Sequence, residues 1–314
     1  MSLAAMAACV AFTSCSNEDE PAAQQGVKAL AQVSVGINTQ NSRAGITAGS
    51  FSGTESLGLF LFGGAGIDDA TAEGRYNIGD NAALVEPLNV KYTRGTEGSV
   101  GVDFNEYFVS QNPIILSSKQ GKLYSYYPWA ESNTDGKAIP VKVNSNQGTG
   151  ISDGTADVAE QTDYMYGTMV ANVSNATEHV DLVMNHALAM VSFKFVRNTY
   201  PGNGLIERIE LRNAGGKSYV LTGDATMHIG TGALNTTTAA NDKAIYCLPA
   251  TSLVDLTASA EIPHMLVYPQ ADEIAEGDVI LSIKMDGKTY EINLPHELKA
   301  GAAYAWTAGN NYLY

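Results

Sequence analysis

AQVSVGINTQNSRA, residues 31–44, decides how this chain is read. Val33, Val35 and Ile37 alternate with Ser34, Gly36 and Asn38, the two-residue period of a strand with one buried face. The polar residues 39–42 follow directly and end at a single Arg43, before the small Ala44 and Gly45. A core strand is thus tied to the rest of the chain by a soft tether carrying one basic residue. A protease with arginine specificity, cutting between Arg43 and Ala44, would free Val33, Val35 and Ile37 from their own domain. The stretch reads as a strand built to be lost and replaced by one from a neighbouring molecule.

Upstream, residues 3–12 (LAAMAACVAF) form an apolar run too short to span a bilayer as a mature helix but suited to the core of a signal peptide. The run leads into Thr13, Ser14 and Cys15, and then into the acidic residues 17–20. No Lys or Arg precedes Leu3, so the basic start of such a signal is missing and the true initiation site is expected farther upstream. Residues 16–30 carry little to bury and read as a flexible tether. Of the three cysteines, Cys9 lies in the apolar run and Cys15 closes it, which leaves Cys247 alone in the mature chain. The fold is therefore expected to stand without disulfides, with Cys247 as a small core residue.

The chain has 314 residues, a soft prior of about two domains. Its 45% hydrophobic content is enough to form real cores. A net charge of −15 argues against nucleic acid and against docking on anionic lipid, since both require cationic patches.

Downstream, the run LGLFLF at residues 57–62 predicts a strand buried on both faces, and residues 65–101 predict loops with a strand near 88–92. Further strands are expected at 114–116, 122–129, 138–143, 163–168 and 169–173. Residues 180–196 form the longest strand-like region, with room for one helical turn around 186–190. The polar connector 172–177 places a domain boundary just before it. Beyond lie candidates at 206–212, 218–222, 225–229, 244–248, 265–268, 279–285, 288–294 and 303–307. Met285-Asp286-Gly287-Lys288, between two alternating runs, is the strongest hairpin signal. Many short strands and no sustained helical period predict an all-β protein of two β-sandwiches, 31–177 and 178–314.

Catalytic and metal motifs are missing from the sequence. The five histidines are scattered without a second ligand at metal spacing, Asp68-Asp69 lacks the oxygen pattern of a calcium loop, and there is no G-x-S-x-G. No cofactor, metal or enzymatic activity is expected. His186, in apolar surroundings, reads as a hydrogen-bonded core residue. Tyr124, Tyr126, Tyr127 and Trp129 could stack on sugar, but strand aromatics are more often core.

Taken together, the signal, VSVGI…NSRA, YSYYPW, DYMYG and NHALAMVSFKF resemble the fimbrillins of type V pili, in an order that covers most of the mature chain. The resemblance implies two transthyretin-like β-sandwich domains and export to the outer membrane as a lipoprotein lipidated at Cys15. It further implies cleavage at Arg43–Ala44 by an arginine-specific protease, with loss of the strand holding Val33, Val35 and Ile37. A strand from the next pilus subunit would then fill the groove. The partners it implies are other pilus subunits, that protease, a host or bacterial surface receptor, and the membrane through the lipid anchor alone. The family's shaft subunits carry donor strands after the last domain strand, whereas only residues 307–314 (TAGNNYLY) follow Trp306 here. The expectation is a subunit that accepts a strand and donates none, placed at a pilus tip. The competing expectation is a lipid-anchored, glycan-binding β-sandwich lipoprotein of the outer membrane.

Overall fold

The computed structural model describes residues 29–38, 51, 55–69, 74–76, 87–95, 106–151, 161–252, 262–294 and 305–314, and every named element among them is a β-strand. In chain order the first eleven are β1 (Ala29–Leu30), β2 (Gln32–Ile37), β3 (Ser56–Gly63), β4 (Val90–Arg94), β5 (Glu106–Val109), β6 (Ile115–Leu116), β7 (Gly121–Tyr127), β8 (Ile139–Val143), β9 (Met165–Gly167), β10 (Val170–Val173) and β11 (His179–His186). Seven of them run round one sheet in the order β7, β3, β4, β5, β2, β11, β9, and the sheet closes on itself where β9 pairs with β7. β10 continues along the same edge of β7. Such closure leaves no free edge between β3 and β11, which removes a template for unwanted strand pairing.

Inside this roll Val33, Val35 and Ile37 meet Leu57, Leu59, Leu61, Tyr92, Phe108, Leu123, Leu182 and Met184. β3 explains why its sequence is apolar without interruption. Leu57, Leu59 and Leu61 point into the roll, while Phe60 points outward into a second core with Tyr124 and Tyr126. A strand with both faces covered has no position for alternating polar residues. Tyr124 and Tyr126 are core, as strand aromatics usually are.

The second half holds β12 (Ala189–Ser192), β13 (Leu205–Asn213), β14 (Gly223–Met227), β15 (Leu234–Asn235), β16 (Ile245–Cys247), β17 (Thr251–Ser252), β18 (His264–Val267), β19 (Val279–Met285), β20 (Lys288–Leu294) and β21 (Asn311–Leu313). They form three sheets: β18-β12-β21, β16-β13-β19-β20 with β17 also on β13, and β15-β14-β8. The shared core includes Ile206, Ile209, Leu211, Met227, Ile245, Cys247, Leu281 and Trp306. Cys247 is fully buried, and burial pushes its thiol up to about 12, so it packs as an inert small side chain. At the β19–β20 hairpin Asp286 and Gly287 both adopt positive φ (47° and 73°), the backbone a two-residue primed turn demands. The Asp286 carboxylate accepts the backbone N–H groups of Gly204 and Leu205 at 2.8 and 2.9 Å, and these hold its pKa below the usual carboxylate range.

Several details differ from the sequence expectations. The strand-like region 180–196 is two strands, the second ending at Ser192, and residues 193–196 form none. Residues 186–190 form no helical turn: Ala187 and Leu188 make a bend that joins β11 to β12. Residues 218–222 are not a strand: the Asn213 side chain accepts the N–H groups of Tyr219 and Val220 (2.9 and 2.7 Å) in place of a ladder partner, and Thr222 makes only an isolated bridge to Ala240. β5 carried no sequence signal, and its register with β2 comes from the roll. Residues 305–307 are not a strand, whereas β21 lies in the tail; residues 303 and 304 are outside the described residues. The first half also contributes to the second. β8 pairs with β14 over five residues, and Asn146 bridges to Tyr246.

Gly58 in β3 packs directly against Tyr126 of the second core. A Cβ there would lie 2.0 Å from Cε1 of Tyr126, whose hydroxyl donates to the Asn89 side chain at 2.7 Å. Gly58→Ala is expected to lower the unfolding midpoint by the equivalent of about 1–3 kcal/mol, measured by thermal denaturation.

Candidate functional site

β2 is the element on which the sequence reading turns, and it is a central strand. Its six residues pair in parallel with β11, from Gln32↔His179 to Ile37↔Met184. On its other side it pairs antiparallel with β5 over three residues, Val33↔Phe108 to Val35↔Glu106. The ladder is extended at both ends: Gln32 N donates to Glu178 O and Asn38 N to Met184 O, each at 2.8 Å. Just before β2, the Ala31 N–H donates to Ile114 O at 2.9 Å. β1 then turns away to pair with β6.

Alternation along β2 divides its side chains as the sequence requires. Val33 and Val35 are almost fully buried and Ile37 nearly so, all three inside the roll. Fully burying side chains of this kind stabilises by roughly 1.5–3 kcal/mol each, so three contribute on the order of 5–9 kcal/mol. That approaches the whole stability of a typical domain, about 5–15 kcal/mol.

The opposite face is pinned by polar groups. Ser34 Oγ donates to Asp181 Oδ1 of β11, and His179 Nε2 stands 3.1 Å from the same oxygen. Farther along, Asn38 Nδ2 donates to Asn185 Oδ1 (3.0 Å), and Asn185 Nδ2 to Thr168 Oγ1 (3.1 Å). From inside, the buried Tyr92 hydroxyl donates to Ala31 O at 3.2 Å and accepts the Ile114 N–H at 3.0 Å. None of these clips was legible in the sequence, since Ser34 and Asp181 are 147 positions apart. The only signal was an outward-facing Ser on a strand otherwise apolar on its inner face.

Of the other residues singled out in the sequence, Cys15, Arg43 and Ala44 lie outside the described residues. His186, at the end of β11, is the hydrogen-bonded core residue its surroundings suggested. Its Nδ1 lies 2.8 Å from Asp163 Oδ2, and both side chains are about 5% exposed or less. Burial opposes charge on His186, but the hydrogen bond and the negative charge of Asp163 outweigh it, and its pKa is raised. Among the described residues no group of three or more His, Cys, Asp or Glu could hold a metal ion.

The match to protein families falls on this same chain almost end to end. The fimbrillin-like family model covers residues 42–314. The chain belongs to the fimbrillin-like family. The matched region begins one residue before Arg43, so β2 stands ahead of it. Among solved structures, this fimbrillin-like chain is similar to a candidate cell adhesion protein from Bacteroides ovatus, at 17% identity and a TM-score of 0.59 over 92% of this chain and 91% of that one. It is also similar to a candidate cell adhesion protein from Bacteroides uniformis, at 16% identity and a TM-score of 0.56 over 90% and 91% of the two chains. At such identities the likeness speaks for a shared fold. No curated protein matches the sequence.

Two measurements follow from this geometry. Val35→Ala removes two buried methyl groups from the middle of β2 and is expected to cost about 2 kcal/mol in denaturant unfolding. The His186–Asp163 pair adds a pH dependence. Because His186 has a raised pKa when folded, its contribution is complete below about 6.5 and is lost as pH rises through the native value. Stability of the intact protein should therefore fall with rising pH above about 6.5, by at most about 1.4 kcal/mol per pH unit, and His186→Gln should flatten that slope.

Proposed function

We propose that the protein is a structural and adhesive subunit of a type V pilus, exported as a lipoprotein through Cys15 and matured by cleavage at Arg43–Ala44. Cleavage releases the segment containing β2, and a strand from a neighbouring subunit takes its place between β5 and β11. The observation that carries this reading is the position of β2. It precedes the other strands of the roll, yet it sits between two strands drawn from much later in the chain. One cut after it frees the strand without severing any other element of the roll.

The physics supports exchange over simple loss. A roll without β2 has an apolar slot beside Leu182, Met184 and Phe108 and two rows of unpaired backbone groups on β5 and β11. Both deficits are answered together by a strand that supplies main-chain hydrogen bonds and alternate apolar side chains. The family match, starting beside Arg43, agrees with a mature unit that begins there. On this reading the pilus lies at the cell surface, after an outer-membrane precursor stage.

A tip position is part of the proposal. Residues 311–313 are paired at home, parallel to β12 from Met190↔Asn311 to Ser192↔Leu313, and are thereby committed within their own subunit. The division into domains 31–177 and 178–314 also belongs to this proposal; across it β8 pairs with β14, and β11 pairs with β2 and β9.

Digestion with an arginine-specific protease tests the reading. One preferred cut at Arg43 is expected, followed by oligomers that need cleavage, and Arg43→Ala should abolish both. A protein that is cut there and stays monomeric with shaft subunits present would overturn strand exchange.

A further inference from the structure

On the outside of the roll lies a cleft of about 790 Å³ whose lining includes no residue of β2, within the range of about 300–1,000 Å³ common to small-ligand sites. It is formed by the strand β4, the residues after β5, and the turn after β7, and its walls include Lys91, Val109, Gln111, Asn112, Trp129 and Glu131. We propose that this cleft binds a short neutral oligosaccharide, stacked on the indole of Trp129. The proposal deepens the adhesive half of the function above and rests on it.

The aromatic wall is positioned by the fold. Trp129 Nε1 donates to the Asn89 carbonyl at 3.2 Å, and Asn89 is held in the left-handed region (φ 52°). The Asn89 side chain in turn donates to Ala130 O at 2.8 Å and accepts the Tyr126 hydroxyl at 2.7 Å. The ring is thus tied from the backbone of one loop to the hydroxyl of a core tyrosine, while its other contacts include the second core. A fixed indole face with electron density above it attracts the C–H-rich face of a pyranose ring. The Lys91 ammonium lies over the indole, 4.5 Å from its centroid, so a pyranose that stacks on this face displaces an exposed, flexible lysine, whose ammonium can then donate to the sugar hydroxyls.

The rest of the wall selects the ligand class. Gln111 and Asn112 present exposed amides and Val109 is 46% exposed, a mixture that matches the polar rims and apolar faces of sugars. One lysine faces one glutamate, and the whole chain carries −15, which disfavours a polyanion. A peptide adding as a strand has little left to pair with, because β4 is laddered to β3 from Val90 to Thr93 and to β5 at Thr93 and Arg94, and β5 is laddered also to β2.

The test uses the uncleaved full chain as a monomer. Lactose, N-acetyllactosamine, maltotriose, mannotriose and acidic sialyllactose are titrated separately, by calorimetry and by indole emission. The chain has two tryptophans and Trp306 is fully buried, so an emission change reports Trp129. At least one neutral sugar should bind with a dissociation constant on the order of 1 mM and shift the emission. Calorimetry should find this weakened at least about tenfold in Trp129→Ala and a few-fold in the exposed double variant Gln111→Ala with Asn112→Ala. If Trp129→Ala fails to fold, the double variant decides. The proposal is overturned if no neutral sugar binds at about 10 mM, if only sialyllactose binds, or if the variants bind like the intact protein. Because the monomer is never cleaved, a negative titration leaves strand exchange standing, and failed assembly leaves the titration interpretable.

Discussion

Both halves of this molecule depend on one run of backbone, β11 and β12, joined through the bend at Ala187 and Leu188. β11 gives its ladder to β2 and β9 and closes the first core; β12 gives its ladder to β18 and β21 and opens the second. The added strands β2 and β21 both run parallel to it. Parallel neighbours cannot be joined by a tight hairpin, so each must arrive from a distant part of the chain. At the bend sit His186 and Asp163, a buried pair that shares a charge-assisted hydrogen bond where the two cores adjoin.

That arrangement makes the first strand separable in a way that strands inside hairpins are not. A hairpin strand is tied at a turn to its ladder partner, whereas β2 is held to β5 and β11 only by noncovalent contacts. Its apolar face contributes an amount of free energy similar to the stability of a whole domain, and its polar face is clipped at Ser34 and Asn38. Such a strand is necessary to the intact fold, and on the proposed reading another with the same alternation would take its place. The cleft at Trp129 is lined from β4, the end of β5 with the residues after it, and the turn after β7, and its lining does not include β2. Attachment to a ligand and attachment to a neighbouring subunit would then occupy separate surfaces.

Alternation and turn chemistry made much of the architecture legible beforehand. The six-residue β2, the doubly buried β3, the aromatic β7 and the β19–β20 hairpin all follow from local pattern, because side-chain period and turn φ values are properties of a few adjacent residues. β5 and β21 were not assigned in that way. Each pairs with a strand more than sixty residues away, β5 with β2 as well as with the nearer β4, and four or fewer residues carry too little pattern to announce a strand alone. Residues 218–222 are apolar at their centre yet form no strand, since the Asn213 side chain bonds the backbone of Tyr219 and Val220, and Thr222 makes only an isolated bridge to Ala240.

By itself the sequence determined that the chain is all β and that Val33, Val35 and Ile37 share one buried face. These follow from burial and periodicity, which act along the chain. Only tertiary structure decided that β2 is a central strand between β5 and β11, that β8 crosses to pair with β14, and that Ser34 meets Asp181. It alone separated Trp129, on the wall of a cleft, from the neighbouring tyrosines in the interior. Those outcomes rest on which distant segments become neighbours, and that is set by closing the sheet and filling both cores at once rather than by the preference of any short stretch.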